Sequence, residues 1–166
     1  MPIAAAFGAT PKSDPQADEA AAAALRKLIA GNPAARQLNE KALGVLVFPK
    51  IVKVGFLLGG AYGEGVLLQG GNTVGYYRSS AASYGLQAGA QWFGYALFFM
   101  NAGALKYLDD SSGFEIGLGP SVVVVDQGMA KKFSSTTLSQ DVYAFIFNQK
   151  GLMAGLGIEG SKITKI

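Results

Sequence analysis

The spacing of apolar residues divides the chain into a helical N-terminal part and a longer, strand-rich remainder. Leu25, Leu28 and Ile29 recur at the spacing of one face of an α-helix, within a stretch rich in Ala and Leu. An Asp-Pro pair precedes this stretch as a helix start, and a Gly-Asn-Pro sequence ends it. The pattern predicts a helix over residues 17–30 and a second, shorter helix over residues 34–42.

From Leu43 onward, short runs of Val, Ile, Leu, Phe and Tyr are separated by Gly, which is typical of strands joined by tight turns. Gly70-Gly71-Asn72 and Gln149-Lys150-Gly151 occupy positions where hairpin turns are expected. A short helix over Ala102–Leu108 is predicted after the capping residue Asn101. The predicted strands cover residues 43–48, 51–58, 65–69, 73–78, 83–92, 95–100, 114–118, 122–126, 142–148 and 152–158.

Many short strands with glycine turns, and no helix between most of them, favour antiparallel pairing over a doubly wound parallel sheet. We therefore expect a β-dominated α+β fold. In it, coiled antiparallel sheets form a sandwich or barrel, with N-terminal helices and one short internal helix. The length of 166 residues fits one domain. Residues 1–14 are predicted to be a flexible lead-in, and residues 15–166 a single domain.

Composition excludes many kinds of enzyme chemistry. The chain has no His and no Cys, which removes imidazole bases, thiolate nucleophiles, disulfides, Cys/His zinc sites and Ser-His-Asp triads. The carboxylates of Glu64, Glu115, Asp126, Asp141 and Glu159 lie far apart in sequence and show no spacing typical of metal ligands or acid–base pairs. We therefore expect no enzymatic activity, no cofactor and no metal.

The charge is weakly positive and evenly spread along the chain. The net charge is +3, without the basic stripe that duplex DNA binders carry. We therefore expect no nucleic-acid partner, whereas weak attraction to an anionic membrane surface stays open. The longest uncharged run, Ser79–Leu105, contains glycines and amides that argue against a membrane-spanning helix.

Two glycine-rich segments share features with nucleotide-binding loops but lack what those loops require. Gly155–Gly160 matches G-x-G-x-x-G, yet only six residues follow it, too few for a βαβ unit. Gly59–Gly65 lacks the Gly-Lys-Ser/Thr ending of a phosphate loop. We interpret Gly59–Gly65 as a wide turn whose glycines adopt positive φ.

Lys50 and Lys53 form the first of two lysine-containing segments that suit contact with a membrane. They lie between apolar strands, three residues apart. Lysines at such positions also commonly protect a sheet edge from pairing with another chain. The sequence leaves both interpretations open, with edge protection the favoured one.

The second lysine-containing segment follows the predicted strand at residues 122–126. Met129, Lys131, Lys132 and Phe133 lie there, before a run of Ser and Thr. A lysine pair flanked by two large apolar side chains combines charge attraction with apolar insertion, the two contributions that weak membrane binding usually needs. A plain solvated loop is the favoured alternative.

The order of several short segments resembles the SYLF domain family, a lipid-binding module that also occurs in yeast actin-associated adaptors. No single segment is specific, but their order and spacing together carry the resemblance over about residues 34–166. The matching segments are Lys41–Val45, Lys53–Phe56, Gly63–Val66, Ser79–Ser83, Gly85–Ala90, Asn101–Ala104, Gly119-Pro120, Lys150–Gly155 and Ile158–Gly160.

The resemblance implies a non-enzymatic, membrane-associated domain that binds anionic phospholipids, with phosphoinositide-like head groups as in eukaryotic members. An amphipathic N-terminal segment contributes in those members, and its counterpart here would be Arg26 and Lys27 beside the apolar stripe. An acidic phospholipid surface is thus the expected partner. The predicted lipid-binding residues are Arg26, Lys27, Lys50, Lys53, Met129, Lys131, Lys132 and Phe133.

Two other functions stay open at this point. The domain could bind a protein partner or have a structural role in the cell envelope, using exposed aromatics such as Tyr76, Tyr77, Trp92 and Phe93. It could also carry a small apolar ligand inside a barrel of about eight strands. The wording of two segments resembles the bacterial branch of the family. That implies an exported protein of the periplasm or outer envelope, although this chain has no leader-like segment and no Cys for a lipid anchor.

Overall fold

The structure is a computed structural model with all atoms of the chain. The part of the chain that it describes comprises residues 13–85, 90–110, 113–126, 129, 131, 138–150 and 158–166. The predicted lead-in therefore lies almost wholly outside the described residues. The division into a lead-in and one domain stays a prediction.

Two helices begin the described part, close to where the sequence predicts them. Helix α1 covers Pro15–Gly31 and helix α2 covers Pro33–Lys41. The carboxylate of Asp14 accepts a hydrogen bond from the first turn of α1, and the Asn32 side chain accepts two from the first turn of α2. Each cap satisfies backbone N–H groups that the helix itself leaves free.

One curled sheet makes up most of the rest and forms a half-barrel. The strands are β1 (Gly44–Gln69), β2 (Asn72–Gly85), β3 (Ala90–Phe99), β4 (Phe114–Glu115), β5 (Val122–Val124), β6 (Val142–Lys150) and β7 (Lys162–Lys165). Their order is β4-β7-β2-β1-β3-β6-β5. Neighbouring strands pair antiparallel, except that β5 runs parallel to β6. Helix α3 (Ala102–Asp110) follows β3. The predicted β-dominated α+β fold is confirmed.

Strand β1 is too long to run straight through a domain of this size, because its 26 residues would extend about 86 Å. Its first arm, residues 44–54, pairs with β3, and its second arm, residues 57–69, pairs with β2. A Cβ atom added to Gly63 in the second arm would overlap the carbonyl oxygen of Lys50 in the first arm. The two arms therefore lie against each other, and β1 turns back on itself between them.

The Gly59–Gly65 segment is not the wide turn that the sequence predicts. It lies inside the second arm of β1, and its glycines have no positive φ. A Cβ atom at Gly65 would approach the Val47 carbonyl oxygen to 2.5 Å and the ring of Phe48 to 2.6 Å. Close approach of the first arm, rather than backbone conformation, is what glycine permits here.

The sheet has two apolar faces, each covered differently. The inner face of the half-barrel is filled by its own aromatic side chains together with α3, and the outer face is covered by α1 and α2. Leu25 and Leu28 of the predicted stripe pack on that outer face. On the inner side, the buried hydroxyl groups of Ser79 and Tyr95 share a hydrogen bond of 2.6 Å. Burial raises the pKa of Tyr95.

Several strand boundaries differ from the prediction. The predicted strands at 51–58 and 65–69 belong to one element, β1, and the predicted strand at 83–92 is divided between β2 and β3. Strand β4 is only two residues long, because the chain turns at Gly117 and Gly119, whose φ values are 112° and 82°. Strand β7 was not predicted, because only one of its four residues, Ile163, is buried.

Two further predictions concern turns and the uncharged run. Gln149 and Lys150 belong to β6 rather than to a hairpin turn, and the predicted strand at 152–158 lies almost wholly outside the described residues. The described residues of the uncharged run Ser79–Leu105 form the end of β2, all of β3 and the start of α3. In the described part of the chain, no helix has both the length and the apolar character needed to cross a membrane.

Candidate functional site

A surface groove of about 340 Å³ brings together α1 and the strands β1, β3 and β6. We call it the headgroup groove, and its lining residues are Lys27, Pro49, Lys50, Trp92, Phe93 and Asn148. Lys27 comes from the last turns of α1, whereas the other five residues come from neighbouring strands. The groove thus lies where the outer face of the sheet emerges beside the covering helix.

Two irregularities in strand pairing shape the groove. Between β1 and β3 the register shifts from Phe48 to Ile51, so that Pro49 and Lys50 form a bulge. Between β3 and β6 the register shifts from Trp92 to Gly94, opposite Asn148. Both neighbours of β3 therefore bulge at the same level of the sheet. Bulges of this kind redirect side chains and are common next to functional sites.

Gly94 allows the strands to come together below the groove. A Cβ atom at this position would overlap the Phe147 ring and would lie 2.8 Å from the carbonyl oxygen of Pro49. Any larger residue would push β6 and the β1 bulge apart. Glycine is therefore required here by the close approach of side chain and backbone, not by its φ angle.

The groove carries positive charge next to an aromatic ring. The Lys50 ammonium lies 5.2 Å from the centroid of the Trp92 ring, a cation–π contact that holds the charge at the groove wall. Lys27 and Lys50 are exposed. Within the described residues, neither lysine lies within ion-pair distance of a carboxylate.

Four other cations in the described part lie in ion pairs. Arg26 binds Glu19 at 3.3 Å and Arg78 binds Glu64 at 3.5 Å. At α3 two lysines are neutralised as well, Lys106 by Asp110 at 3.5 Å and Lys165 by Asp109 at 2.9 Å. The hydrogen bond that Lys165 donates to Asp109 raises the pKa of Lys165. We call the surface formed by these two ion pairs and the exposed Tyr107 the α3 corner.

The structure brings only part of the predicted lipid-binding set together. Lys27 and Lys50, which are 23 positions apart in sequence, both line the groove. Lys53 is half-buried in β1 and does not line it. Arg26 points to its exposed pair with Glu19 instead, a type of ion pair that contributes little to stability.

The described residues of the second predicted lysine segment do not line the groove. Met129 and Lys131 are outside its lining residues, and the Met129 N–H donates a hydrogen bond to Asp126 at 2.7 Å. Lys132 and Phe133 lie outside the described residues. The part of that prediction that concerns Lys132 and Phe133 stays a prediction.

Strand β1 lies between β2 and β3 in the strand order, but Lys50 and Lys53 belong to its first arm, whose pairing among the described residues is with β3. The pairing with β2 is made by the second arm. Edge protection of the first arm by these lysines therefore stays a prediction. For Lys50 the groove supplies a second explanation.

Asn148 was not predicted from the sequence, and Trp92 was predicted only as an exposed aromatic. Trp92 is 40% exposed, as expected, but Tyr77 and Phe93 are buried at 2% and 3% exposure. Asn148 has a φ of 53°, which is uncommon for a residue other than glycine. An Asn within an apolar strand was the one available signal, since Asn tolerates this conformation better than most residues.

A second polar cluster, at the other end of β3, is structural. The Asp141 carboxylate accepts hydrogen bonds from the Ser121 backbone N–H at 2.9 Å and from the Asn101 side chain at 2.8 Å. These bonds lower the pKa of Asp141. Asn101 also caps α3. The cluster therefore joins β6, β5 and α3.

The lining of the groove suits binding rather than catalysis. Its two lysines can only donate hydrogen bonds, its Asn can donate and accept, and its remaining residues are apolar or aromatic. Among its described lining residues there is no carboxylate, hydroxyl or thiol that would act as a nucleophile beside a base. The lysine and amide N–H groups of this lining can donate hydrogen bonds to an anion.

A family model matches the C-terminal half of the chain. The model of the Ysc84 family, described as Las17-binding protein actin regulator, matches residues 80–165, which is more than half of the chain. The chain belongs to the Ysc84 family. This is the SYLF domain family that the sequence resembles, a family of lipid- and actin-adaptor-type domains. A comparison with curated proteins gives no match.

The Ysc84 match contains half of the groove. Trp92, Phe93 and Asn148 lie inside the matched residues 80–165, whereas Lys27, Pro49 and Lys50 precede them. The family match therefore covers the aromatic and amide side of the groove, and the preceding residues supply its charge.

Proposed function

We propose that this Ysc84-family domain is a non-enzymatic, membrane-associated module that binds anionic phospholipids through the headgroup groove, with phosphoinositide-like head groups as its ligands. Lys27 and Lys50 would attract the phosphate, and Trp92 would lie at the boundary between the headgroups and the acyl chains. Tryptophan favours that boundary because one end of its ring is apolar and the other carries an N–H donor.

One observation carries the proposal. Two lysines from distant parts of the chain converge on one groove beside an exposed Trp, and neither has a carboxylate partner among the described residues. Two exposed ammonium groups at one concave surface together attract an anion more strongly than either does alone. A phospholipid headgroup supplies that anion together with an apolar layer for Trp92.

Vesicle sedimentation tests the proposal. We expect the domain to pellet with vesicles that contain acidic phospholipid and to stay in solution with purely neutral ones. A lysine near an anionic membrane contributes about 1 kcal/mol, so Lys27→Gln/Lys50→Gln should weaken binding about 30-fold. Equal pelleting with neutral and acidic vesicles, or full binding by the double variant, would contradict the proposal.

A protein partner at the α3 corner is a second candidate function. Leu118 is 60% exposed on the turn between Gly117 and Gly119, close to Tyr107, which is 41% exposed. The family description names Las17 as a binding partner of the family. If the corner is used in this way, Leu118→Ser should weaken binding to purified Las17 at least tenfold, and unchanged binding would remove this candidate.

The remaining alternatives receive less support. The inner face of the half-barrel is filled by buried side chains, so nothing there favours a carrier for an apolar ligand. An exported location in the periplasm or outer envelope of a bacterium stays a prediction from the resemblance. Fractionation of the native host would test the location, and recovery of the protein only in the cytosolic fraction would contradict it.

A further inference from the structure

We infer that Val54 is an apolar membrane anchor beside the headgroup groove, and that the domain docks on an anionic bilayer with this end of the sheet's outer face toward the lipid. The inference rests on the proposed function. It adds the direction in which the domain docks and a residue outside the groove that enters the acyl layer.

Val54 and Trp92 lie next to each other on one face of the sheet. Trp92 of β3 pairs with Val52 of β1, and the register continues without a shift to Val54 opposite Ala90. Side chains two residues apart on a strand share a face, so Val54 is a diagonal neighbour of Trp92, at about 7–8 Å. Phe93 belongs to the inner cluster, which places Trp92 and Val54 on the outer face.

Both side chains are exposed on a face that is otherwise covered along the same strands. Val54 is 48% exposed, and Trp92 is nearly as exposed. Farther along β1 and β3, the outer-face residues Val47 and Phe98 are buried in the cluster that α1 and α2 cover. Val54 and Trp92 therefore lie beyond the part of the face that these helices cover, where a membrane can reach them.

Charge and apolar surface follow one another here in the order in which a bilayer presents phosphate and hydrocarbon. The Lys50 ammonium contacts the Trp92 ring, and Val54 lies four residues farther along β1, or about 13 Å. The headgroup region of one leaflet is about 5–8 Å thick. If this end of β1 points into the bilayer, Lys50 at the phosphates places Val54 among the acyl chains.

Single exposed apolar residues are ordinary on protein surfaces, so the neighbours of Val54 carry the argument. Val74 in β2 is exposed to nearly the same extent, at 45%, but its neighbour Thr73 donates a hydrogen bond to the Asp18 carboxylate. A carboxylate disfavours contact with an acidic bilayer, whereas the ammonium of Lys50 favours it. Weak membrane binding usually needs a cationic and an apolar contribution, and both are present at Val54.

Val54→Thr and Val74→Thr form a matched pair of variants. Thr keeps the branched shape and the strand preference of Val but replaces one methyl group with a hydroxyl. Val54→Thr should weaken binding to vesicles of phosphatidylglycerol and phosphatidylcholine about threefold, because the hydroxyl reduces the gain from apolar burial. Val74→Thr should leave binding unchanged. Vesicle sedimentation measures both.

Val54→Leu tests the opposite direction. It adds one methylene group, so it should strengthen binding to the same vesicles about threefold if the side chain enters the acyl layer. A merely structural role predicts no such gain, because Leu suits a strand less well than Val. Circular dichroism and urea denaturation would show that the three variants are folded.

Binding that is unchanged in Val54→Thr, equal losses in the two Thr variants, or no gain in Val54→Leu would overturn the inference. The proposed function would stand in each of these cases if Lys27→Gln/Lys50→Gln still lost binding to the acidic vesicles. Absence of binding of the wild-type protein to these vesicles would overturn both.

Discussion

The headgroup groove and the α3 corner are built from similar residues but differ in how their charges are treated. Each combines lysines with an exposed aromatic ring, Trp92 in the groove and Tyr107 at the corner. At the corner each lysine has an aspartate partner, whereas the groove lysines have no carboxylate partner in the described part. Convergence of unpaired charge, rather than lysine content, therefore distinguishes the groove as a candidate binding surface.

The two regions also lie far apart. Trp92 is near the start of β3 and α3 begins soon after its end, so seven residues of strand, or about 23 Å, separate the two levels of the sheet. Variants at the α3 corner are therefore suitable controls for variants at the groove.

The largest expected effect is on the free energy of unfolding, which should fall for a variant at the groove and rise for a variant in α3. Gly94→Ala should lower the free energy of unfolding by about 3 kcal/mol, because its Cβ would overlap the Phe147 ring and crowd Pro49. Gly103→Ala in α3 meets nothing closer than the Asn101 side-chain oxygen at 3.5 Å and should raise stability by about 0.5 kcal/mol. Urea denaturation measures both, and equal effects would contradict our account of the groove.

A smaller effect is expected when one lysine is neutralised. Lys50→Gln should weaken binding to acidic vesicles about fivefold, corresponding to about 1 kcal/mol. Lys106→Gln removes the same charge at the α3 corner and should leave binding unchanged, since that lysine is already paired with Asp110. Equal losses in the two variants would show that net charge, and not the groove, controls binding.

The third expected effect is a pH dependence of stability, and it concerns the Asp141 cluster beside α3. The hydrogen bonds to Asp141 lower its pKa in the folded protein below the ordinary value of 3.8. Their stabilisation is therefore complete above that pH and is lost as the pH falls through the lower folded-state pKa. Asp141→Asn should cost about 1 kcal/mol at neutral pH, a value reduced by solvent screening of this exposed group.

Urea titrations at neutral pH and near pH 3 measure this difference. The gap between wild type and Asp141→Asn should narrow in acid, because the wild-type carboxylate then begins to take up a proton. A gap that stays constant with pH would mean that the Asp141 charge contributes nothing to the cluster.

Much of the fold follows from local sequence signals, and the site does not. Asp14 marks the start of α1 because capping is a contact within one turn, and the structure shows this cap. Asn32 was predicted only as part of the sequence that ends α1, and the structure shows that it also caps α2. The hairpin at Gly70-Gly71 was predictable for the same reason, since its two positive φ values are a local requirement. The glycines of the second β1 arm gave a misleading signal, because the constraint on them comes from an arm that is distant in sequence.

The groove depends on contacts of that long-range kind. Lys27 and Lys50 were each predicted as lipid contacts, but nothing in the sequence places a helix residue beside a bulge in β1. The bulge at Asn148 arises from a mismatch between β3 and β6, which pattern analysis of either strand alone does not reveal. Charge and aromatic character were therefore predictable, and their convergence was not.

The most direct test of the central claim uses the emission of Trp92, the one tryptophan of the chain, during titration with acidic and with neutral vesicles. If the groove binds headgroups, acidic vesicles should produce a saturable emission change that weakens as salt screens the charges and disappears in Lys27→Gln/Lys50→Gln. An identical change with neutral vesicles, or pelleting with acidic vesicles without any change in Trp92 emission, would contradict it.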